Sequence, residues 1–165
     1  YLYSLGHRRM AFVGHHTGLE PLLDRKKSFL DTMKRYAGGV EFATAADRDG
    51  PVGGQQATRQ LLSSGFRPTA IICVNDFMAL GVVRELREGG LAVPQDVSVT
   101  GYDNISLSEF ACPSLTTVDI PRERIGHLAF AALVPEHEES QVRGREILID
   151  PELVIRESTG PAPRS

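Results

Sequence analysis

Residues 69–81 read TAIICVNDFMALG, and this stretch decides the fold class of the chain. The apolar run 70–74 predicts a buried strand, and a helix is predicted directly after the polar pair Asn75 and Asp76. A second apolar strand, 97–101, leads in the same way to Asp103 and Asn104. In a parallel α/β sheet, ligands bind outside the carboxyl ends of the strands. The sequence therefore predicts a polar rim at one sheet edge, suited to hydroxyl-rich or amine-bearing small molecules.

Strand and helix patterns alternate along most of the chain. Apolar runs predict strands at 10–14, 40–45, 70–74 and 97–101, and helical spacing predicts helices at 19–36, 55–64 and 77–88. The glycine-rich run 50–54 is interpreted as a loop before a helix. Apolar strands that alternate with helices indicate an α/β fold, a parallel sheet with helices on both faces. After residue 103 the pattern changes to a loop at 104–114, a strand at 115–118, a helix at 121–134, a hairpin of strands 146–150 and 153–156, and a tail at 160–165 that is expected to fray.

Composition limits the possible function classes. The chain has 165 residues, of which 41% are hydrophobic and 24% charged, as in an ordinary soluble domain. Its net charge of −3 gives no sign of a nucleic-acid surface. The sequence has no apolar run of about 18 residues and no recognisable secretion signal. Cys73 is predicted to be a core residue, and the cysteines fit a cytoplasmic protein.

Three side chains near the predicted sheet edge are candidate ligand-binding groups. Arg25, on the first long helix, could form a fork of hydrogen bonds to hydroxyls or a carboxylate, or could be an ordinary surface arginine. Asn75 offers both a donor and an acceptor, and the Asp103 carboxylate can accept from two hydroxyls. Both could instead serve as turn or capping residues. Asp76 is interpreted as the cap of the following helix.

The sequence contains no recognisable catalytic or metal-binding pattern. His15 and His16 follow the first strand, but adjacent histidines on a loop point different ways, so only a weaker role for His15 in lining a pocket is predicted. There is no nucleophile elbow, phosphate-binding lysine loop or dinucleotide fingerprint. The polar groups could hold a ligand without transforming it, so we predict neither an enzyme nor a cofactor.

A series of short motifs runs in order along nearly the whole chain. They are LGHRR at 5–9, Arg25 followed by Phe29, PTAI at 68–71, ND at 75–76, MALG at 78–81, DVSV at 96–99, GYD at 101–103, LTTV at 115–118 and RES at 156–158. None is specific alone. Their joint order and spacing resemble the effector-binding core of the LacI/GalR transcription regulators, which has the type I periplasmic-binding-protein fold.

The resemblance implies a domain organisation. Residues 1–118 and 145–158 would form the C-terminal, Rossmann-like lobe of the effector-binding domain. Residues 119–144 would cross to an N-terminal lobe and supply one helix there, and 159–165 would be a tail. The chain starts as if inside a helix, so we expect a C-terminal fragment of a longer protein whose helix-turn-helix domain, absent from this chain, would bind operator DNA.

The resemblance also implies residue roles and partners. Arg25, Asn75 and Asp103 match the family's ligand-contacting positions, and the effector would be a sugar or nucleobase-like molecule. The family dimerises along elements that correspond to one helix and one loop of this chain, which predicts a homodimer surface at Met78, Leu80, Val83 and Phe110. From spacing alone, Leu80 and Val83 could instead be core residues. The alternative is a periplasmic sugar-binding protein of an ABC transporter, which shares the fold.

Overall fold

A computed structural model of the chain describes residues 1–36, 39–133 and 147–164. The first part alternates between strands and helices: β1 (Arg9–His15), α1 (Glu20–Arg35), β2 (Glu41–Asp47), α2 (Gly50–Ser63), β3 (Ala70–Cys73), α3 (Asp76–Glu88) and β4 (Ser98–Thr100). Four shorter or peripheral elements follow: α4 (Ser106–Phe110), β5 (Thr117–Asp119), α5 (Arg122–Leu133) and β6 (Glu152–Val154). The alternation confirms the predicted α/β class.

Strands β1 to β4 form one parallel sheet in the order β2-β1-β3-β4. Val13 pairs with Ala45 on one side and with Cys73 on the other. The two central strands are almost fully buried, as continuous apolar strands must be when helices cover both faces. Because all four strands run the same way, their carboxyl ends meet at one edge.

Helix α2 begins at Gly50, so the prediction that 50–54 is a loop is wrong. Asp49 caps this helix, and its carboxylate accepts from the Gly50 N–H at 2.7 Å. The glycines serve close helix packing: a Cβ on Gly54 would lie 2.1 Å from the Met78 carbonyl oxygen. Composition alone suggested a turn, whereas the contact between α2 and α3 explains the small residues.

Two predictions about the C-terminal part are also wrong. Strand β6 pairs antiparallel with β5, with Val118 opposite Leu153, and residues 147–150 form no strand, so there is no local hairpin in the described segment. The tail does not fray over its described part: the Ala162 N–H donates to the Leu5 carbonyl at 2.9 Å. Long-range pairing with earlier parts of the chain, which sequence periodicity does not reveal, fixes both segments.

Helix α5 follows the prediction in position but has no buried residue. Its apolar side chains are open to solvent, with Ile125 40%, Phe130 65% and Leu133 80% exposed. The last predicted residue of the helix, Val134, and the polar stretch that follows it lie outside the described residues. In the parts of the chain that the structure describes, no helix is long and apolar enough to cross a membrane.

Helix α3 turns two of the predicted dimer residues inward. Met78 is fully buried and Val83 is 8% exposed, and both belong to the hydrophobic core. This corrects the prediction that they form a surface. Leu80 is half-buried and Phe110 is 80% exposed, so only these two remain available to a partner.

Candidate functional site

The carboxyl edge of the sheet brings polar side chains from four segments together. His15 ends β1, Asn75 follows β3, Asp103 follows β4, and Arg25 reaches the same edge from α1. Strands β1, β3 and β4 pair in parallel, so the residues at and just after their carboxyl ends lie at the same edge of the sheet.

Arg25 is held by three different contacts. Its Nη1 donates to the Val74 carbonyl at 2.8 Å, and its Nη2 lies 3.7 Å from Asp103 Oδ1. Its guanidinium carbon stands 3.7 Å above the centre of the Tyr102 ring, a cation–π geometry. The guanidinium is therefore fixed in orientation, and it is not the ordinary surface arginine that the sequence left possible.

Asp103 occupies an unusual backbone conformation. Its φ is +108°, and Asn104 follows at +46°, so two successive non-glycine residues lie in the left-handed region that asparagine and aspartate tolerate best. Burial raises the pKa of the Asp103 carboxyl above its ordinary value, while the Arg25 guanidinium acts in the opposite direction. The nearby carboxylates of Asp76 and Asp49 raise it further. The Asp103 carboxylate is thus incompletely neutralised, and hydrogen-bond donors on a ligand would stabilise its charged form.

Asn75, and not Asp76, is the cap of α3. The Asn75 Oδ1 accepts from the Met78 N–H at 2.8 Å, and its Nδ2 donates to Asp49 Oδ1 at 2.9 Å. The capping role that the sequence left open is therefore real. One amide hydrogen of Asn75 has no assigned acceptor in these contacts, so the amide retains a donor for a ligand.

Asp76 lies one residue inside the helix and is fully buried. Its carboxylate accepts from Thr117 Oγ1 at 2.6 Å and from the Ile105 N–H at 2.9 Å. Burial raises the pKa of this carboxyl, although these hydrogen bonds act in the opposite direction. The prediction that Asp76 is the cap is therefore wrong: its carboxylate joins α3 to β5 and to the loop after Asp103.

Sequence reasoning missed Asp49. Its Oδ1 accepts from Gly50 and Asn75 and lies 3.8 Å from His15 Nε2, and its side chain is 55% exposed. His15 is turned inward, with its Nδ1 2.7 Å from Thr17 Oγ1. The available signal was an aspartate two residues before Pro51, since an aspartate cap followed by a proline in the first turn is a common pattern at helix starts. Asp49 thus belongs to the polar rim beside Asn75.

A large cavity lies beside the polar rim rather than over it. It measures about 750 Å³ and runs between α1 and the sheet, with Arg25 and Tyr102 in its wall and mostly apolar residues around them. A smaller cavity of about 220 Å³ includes His15 and His16. Neither is lined by Asn75 or Asp103, so the rim itself is open on this chain. Among the residues with described positions, no group of three or more His, Cys, Asp or Glu side chains could hold a metal ion.

The fold is a parallel α/β sheet whose polar rim lies at the carboxyl ends of the strands, the edge at which such sheets bind small molecules. Residues 1–159 match a family model described as a periplasmic binding protein-like domain, and the chain belongs to this family, on the branch of the LacI-family regulators. It is 37% identical to the HTH-type transcriptional repressor PurR of Serratia proteamaculans over 99% of the chain and 48% of that protein. It is 35% identical to the repressor CytR of Escherichia coli K12, again over 99% of the chain and 48% of that protein.

Solved structures agree with this assignment. The Lac repressor dimer bound to operator and an anti-inducer has a TM-score of 0.87 at 30% identity, with 96% of this chain and 48% of that chain covered. A LacI-family regulator from Enterococcus faecium with bound ribose has a TM-score of 0.79 at 28% identity, with 97% and 59% covered. The chain thus spans about half the length of the curated relatives it matches.

Proposed function

We propose that this chain is the effector-binding and dimerisation part of a cytoplasmic, DNA-binding transcriptional repressor. The observation that carries the proposal is the fixed guanidinium of Arg25 beside the under-neutralised carboxylate of Asp103 at the carboxyl edge. That pair offers donors and an acceptor to one polar molecule, and the relatives named above are transcriptional repressors.

Each side chain of the polar rim would make a different kind of hydrogen bond to the ligand. Arg25 donates to ligand oxygens, Asp103 accepts from ligand hydroxyl or N–H groups, and Asn75 donates with its remaining amide hydrogen. Asp49 and His15 support Asn75 from the side. A sugar, nucleoside or nucleobase suits this donor and acceptor set, and nothing in it requires an activated nucleophile or a proton-transfer pair.

The second wall of the site would come from another lobe. Helix α5 has no buried residue, while β5 and β6, the strands on either side of the crossover, run side by side. This supports the assignment of 1–118 and 145–158 to one lobe and of 119–144 to the crossover. We expect the isolated chain to bind effector weakly, since a ligand held by one wall stays largely hydrated. Hydrogen exchange in the isolated monomer should find α5 less protected than β3; equal protection would contradict the two-lobe assignment.

The dimer surface is proposed to contain Leu80 and Phe110, the two predicted residues that the fold leaves accessible. Phe77 on the same face of α3 is 46% exposed and Leu107 beside Phe110 is 52% exposed, so the apolar area is larger than the sequence suggested. Exposed apolar clusters of this kind mark interaction surfaces. A periplasmic transport receptor is not favoured, because the relatives that cover nearly the whole chain are repressors.

The test is a thermal-shift screen of pentoses, hexoses, nucleosides and purines on the full-length protein, followed by calorimetry of any ligand found. Arg25→Gln should weaken binding at least about tenfold, because hydrogen bonds that involve a charged group contribute about 1.5–3 kcal/mol each. Lys34→Gln, on an exposed face of the same helix, is the matched control. Unchanged affinity in Arg25→Gln would exclude the polar rim as the site.

A further inference from the structure

Arg122, the first residue of α5, stands where a helix disfavours a cation. The amino end of a helix carries partial positive charge, so a basic side chain in the first turn does not stabilise it. The Arg122 guanidinium instead turns back onto the loop after β4. Its Nη1 donates to the Asp103 carbonyl at 2.8 Å and its Nη2 to the Asn104 carbonyl at 3.0 Å. These two hydrogen bonds give the arginine a role outside its own helix.

The loop that Arg122 contacts has a backbone that needs support. Asp103 and Asn104 are the non-glycine residues with positive φ in the described part of the chain, and such residues persist only where surrounding contacts determine them. Their N–H groups donate to β5, from Asp103 to the Val118 carbonyl at 2.9 Å and from Asn104 to Thr117 Oγ1 at 3.3 Å. Strand β5 therefore holds the N–H side of this loop, and Arg122 holds the carbonyl side.

We propose that Arg122 is a positioning residue that fixes the backbone under Asp103 and ties the ligand-binding loop to the crossover helix α5. The proposal rests on the proposed function for the role of Asp103 in ligand binding. Helix α5 has no buried residue, and among the described residues its side-chain hydrogen bonds to the loop after β4 come from Arg122. A displacement of α5 therefore reaches the loop of Asp103 through this side chain as well as through β5, which directly precedes α5 in the chain.

Electrostatics supports the same arrangement. Burial raises the pKa of Asp103 above its ordinary value, and the Asp76 and Asp49 carboxylates act in the same direction. The guanidinium groups of Arg25 and, to a smaller extent, Arg122 act against this rise. Arg122 thus acts on Asp103 in two separable ways, by hydrogen bonds to backbone carbonyls and by charge. Lysine preserves the charge but cannot form the fork, so it separates the two.

The experiment uses the ligand-free full-length protein and three variants: R122A, R122K and R124A. Arg124 is an exposed arginine on the same helix and provides the control. Hydrogen exchange measures the amides of Asn104 and Ile105, and carbon NMR titration measures the Asp103 carboxyl. In R122A we expect these amides to exchange about fivefold faster and the pKa of Asp103 to rise. In R122K the pKa should stay near that of the wild type while exchange still accelerates, and R124A should change neither.

Two results would overturn the proposal. If R122A raises the pKa of Asp103 but leaves exchange of Asn104 and Ile105 unchanged, Arg122 acts as a charge and not as a positioning residue. If R124A accelerates exchange as much as R122A does, the effect belongs to the helix in general. Because neither measurement needs a ligand, a failed ligand screen would remove the proposed function and leave this inference standing. Conversely, if a ligand binds through Asp103 but R122A alters neither the amide exchange nor the pKa of Asp103, the proposed function stands and this inference is wrong.

Discussion

Replacement of Asp103 by asparagine in the full-length protein should separate ligand binding from folding. Asparagine is nearly isosteric and tolerates the φ of +108° at this position, so the backbone hydrogen bond to Val118 is retained. Alanine tolerates that φ less well, which makes Asp103→Ala the poorer test. The change removes the charge that faces Arg25 at 3.7 Å. Loss of charge-assisted hydrogen bonds to the ligand should cost about 1.5–3 kcal/mol, or roughly 10- to 150-fold in Kd.

Although Asp103→Asn should weaken ligand binding, it should leave the stability of the fold unchanged or raise it. The folded pKa of Asp103 lies above its ordinary value, chiefly because of burial. Protonation is therefore favoured by folding, and this contribution to stability is lost as pH rises through the raised pKa. At neutral pH the ionised carboxylate opposes folding, so Asp103→Asn should melt no lower than the wild type.

Calorimetric titration with the ligand found in the screen, together with thermal melts from neutral to mildly acidic pH, measures both effects. Asp31→Asn, in an exposed i,i+3 pair with Lys34 on α1, is the control for loss of a surface carboxylate. Wild-type affinity in Asp103→Asn would remove this residue from the site. A clearly lower melting temperature at neutral pH would show that the carboxylate stabilises the fold, and the argument from burial would then be wrong.

Three further outcomes are expected. Leu80→Arg should convert a dimeric full-length protein to monomers in sedimentation, whereas Arg84→Ala on the neighbouring exposed turn should not; a dimer that survives Leu80→Arg would place the interface elsewhere. Gly54→Ala should cost about 1–3 kcal/mol in urea unfolding, because its Cβ would lie 2.1 Å from the Met78 carbonyl oxygen, while Gly18→Ala, with nothing within 4 Å, is the control. Burial lowers the pKa of His7 below 6.5, so stability should fall as pH drops from that value through the lowered pKa; His7→Gln should flatten this dependence in thermal melts, and an unchanged profile would exclude His7 as its source.

The sequence alone determined the fold class and the sheet edge that carries the polar rim. Apolar strands such as 70–74, each followed by polar residues and a helix, can bury their faces only in a parallel sheet covered by helices. Parallel strands then bring Asn75 and Asp103 to one edge without further information. Their placement was accessible from local pattern because it follows from strand direction, whereas local pattern left Arg25 open as a surface arginine and only the family resemblance placed it in the site.

Only the tertiary structure decided which polar groups are already committed to other contacts. Asn75 and Asp76 are adjacent and chemically similar, yet one caps α3 while the other is buried under β5. Likewise, residues 50–54 belong to helix α2, and Gly54 is a glycine because the carbonyl of Met78 approaches too closely for any side chain. These outcomes depend on residues far apart in the chain, such as Asp76 with Thr117 or Arg122 with Asp103. Local sequence periodicity cannot predict such contacts, because they depend on how distant segments pack together and not on local propensity.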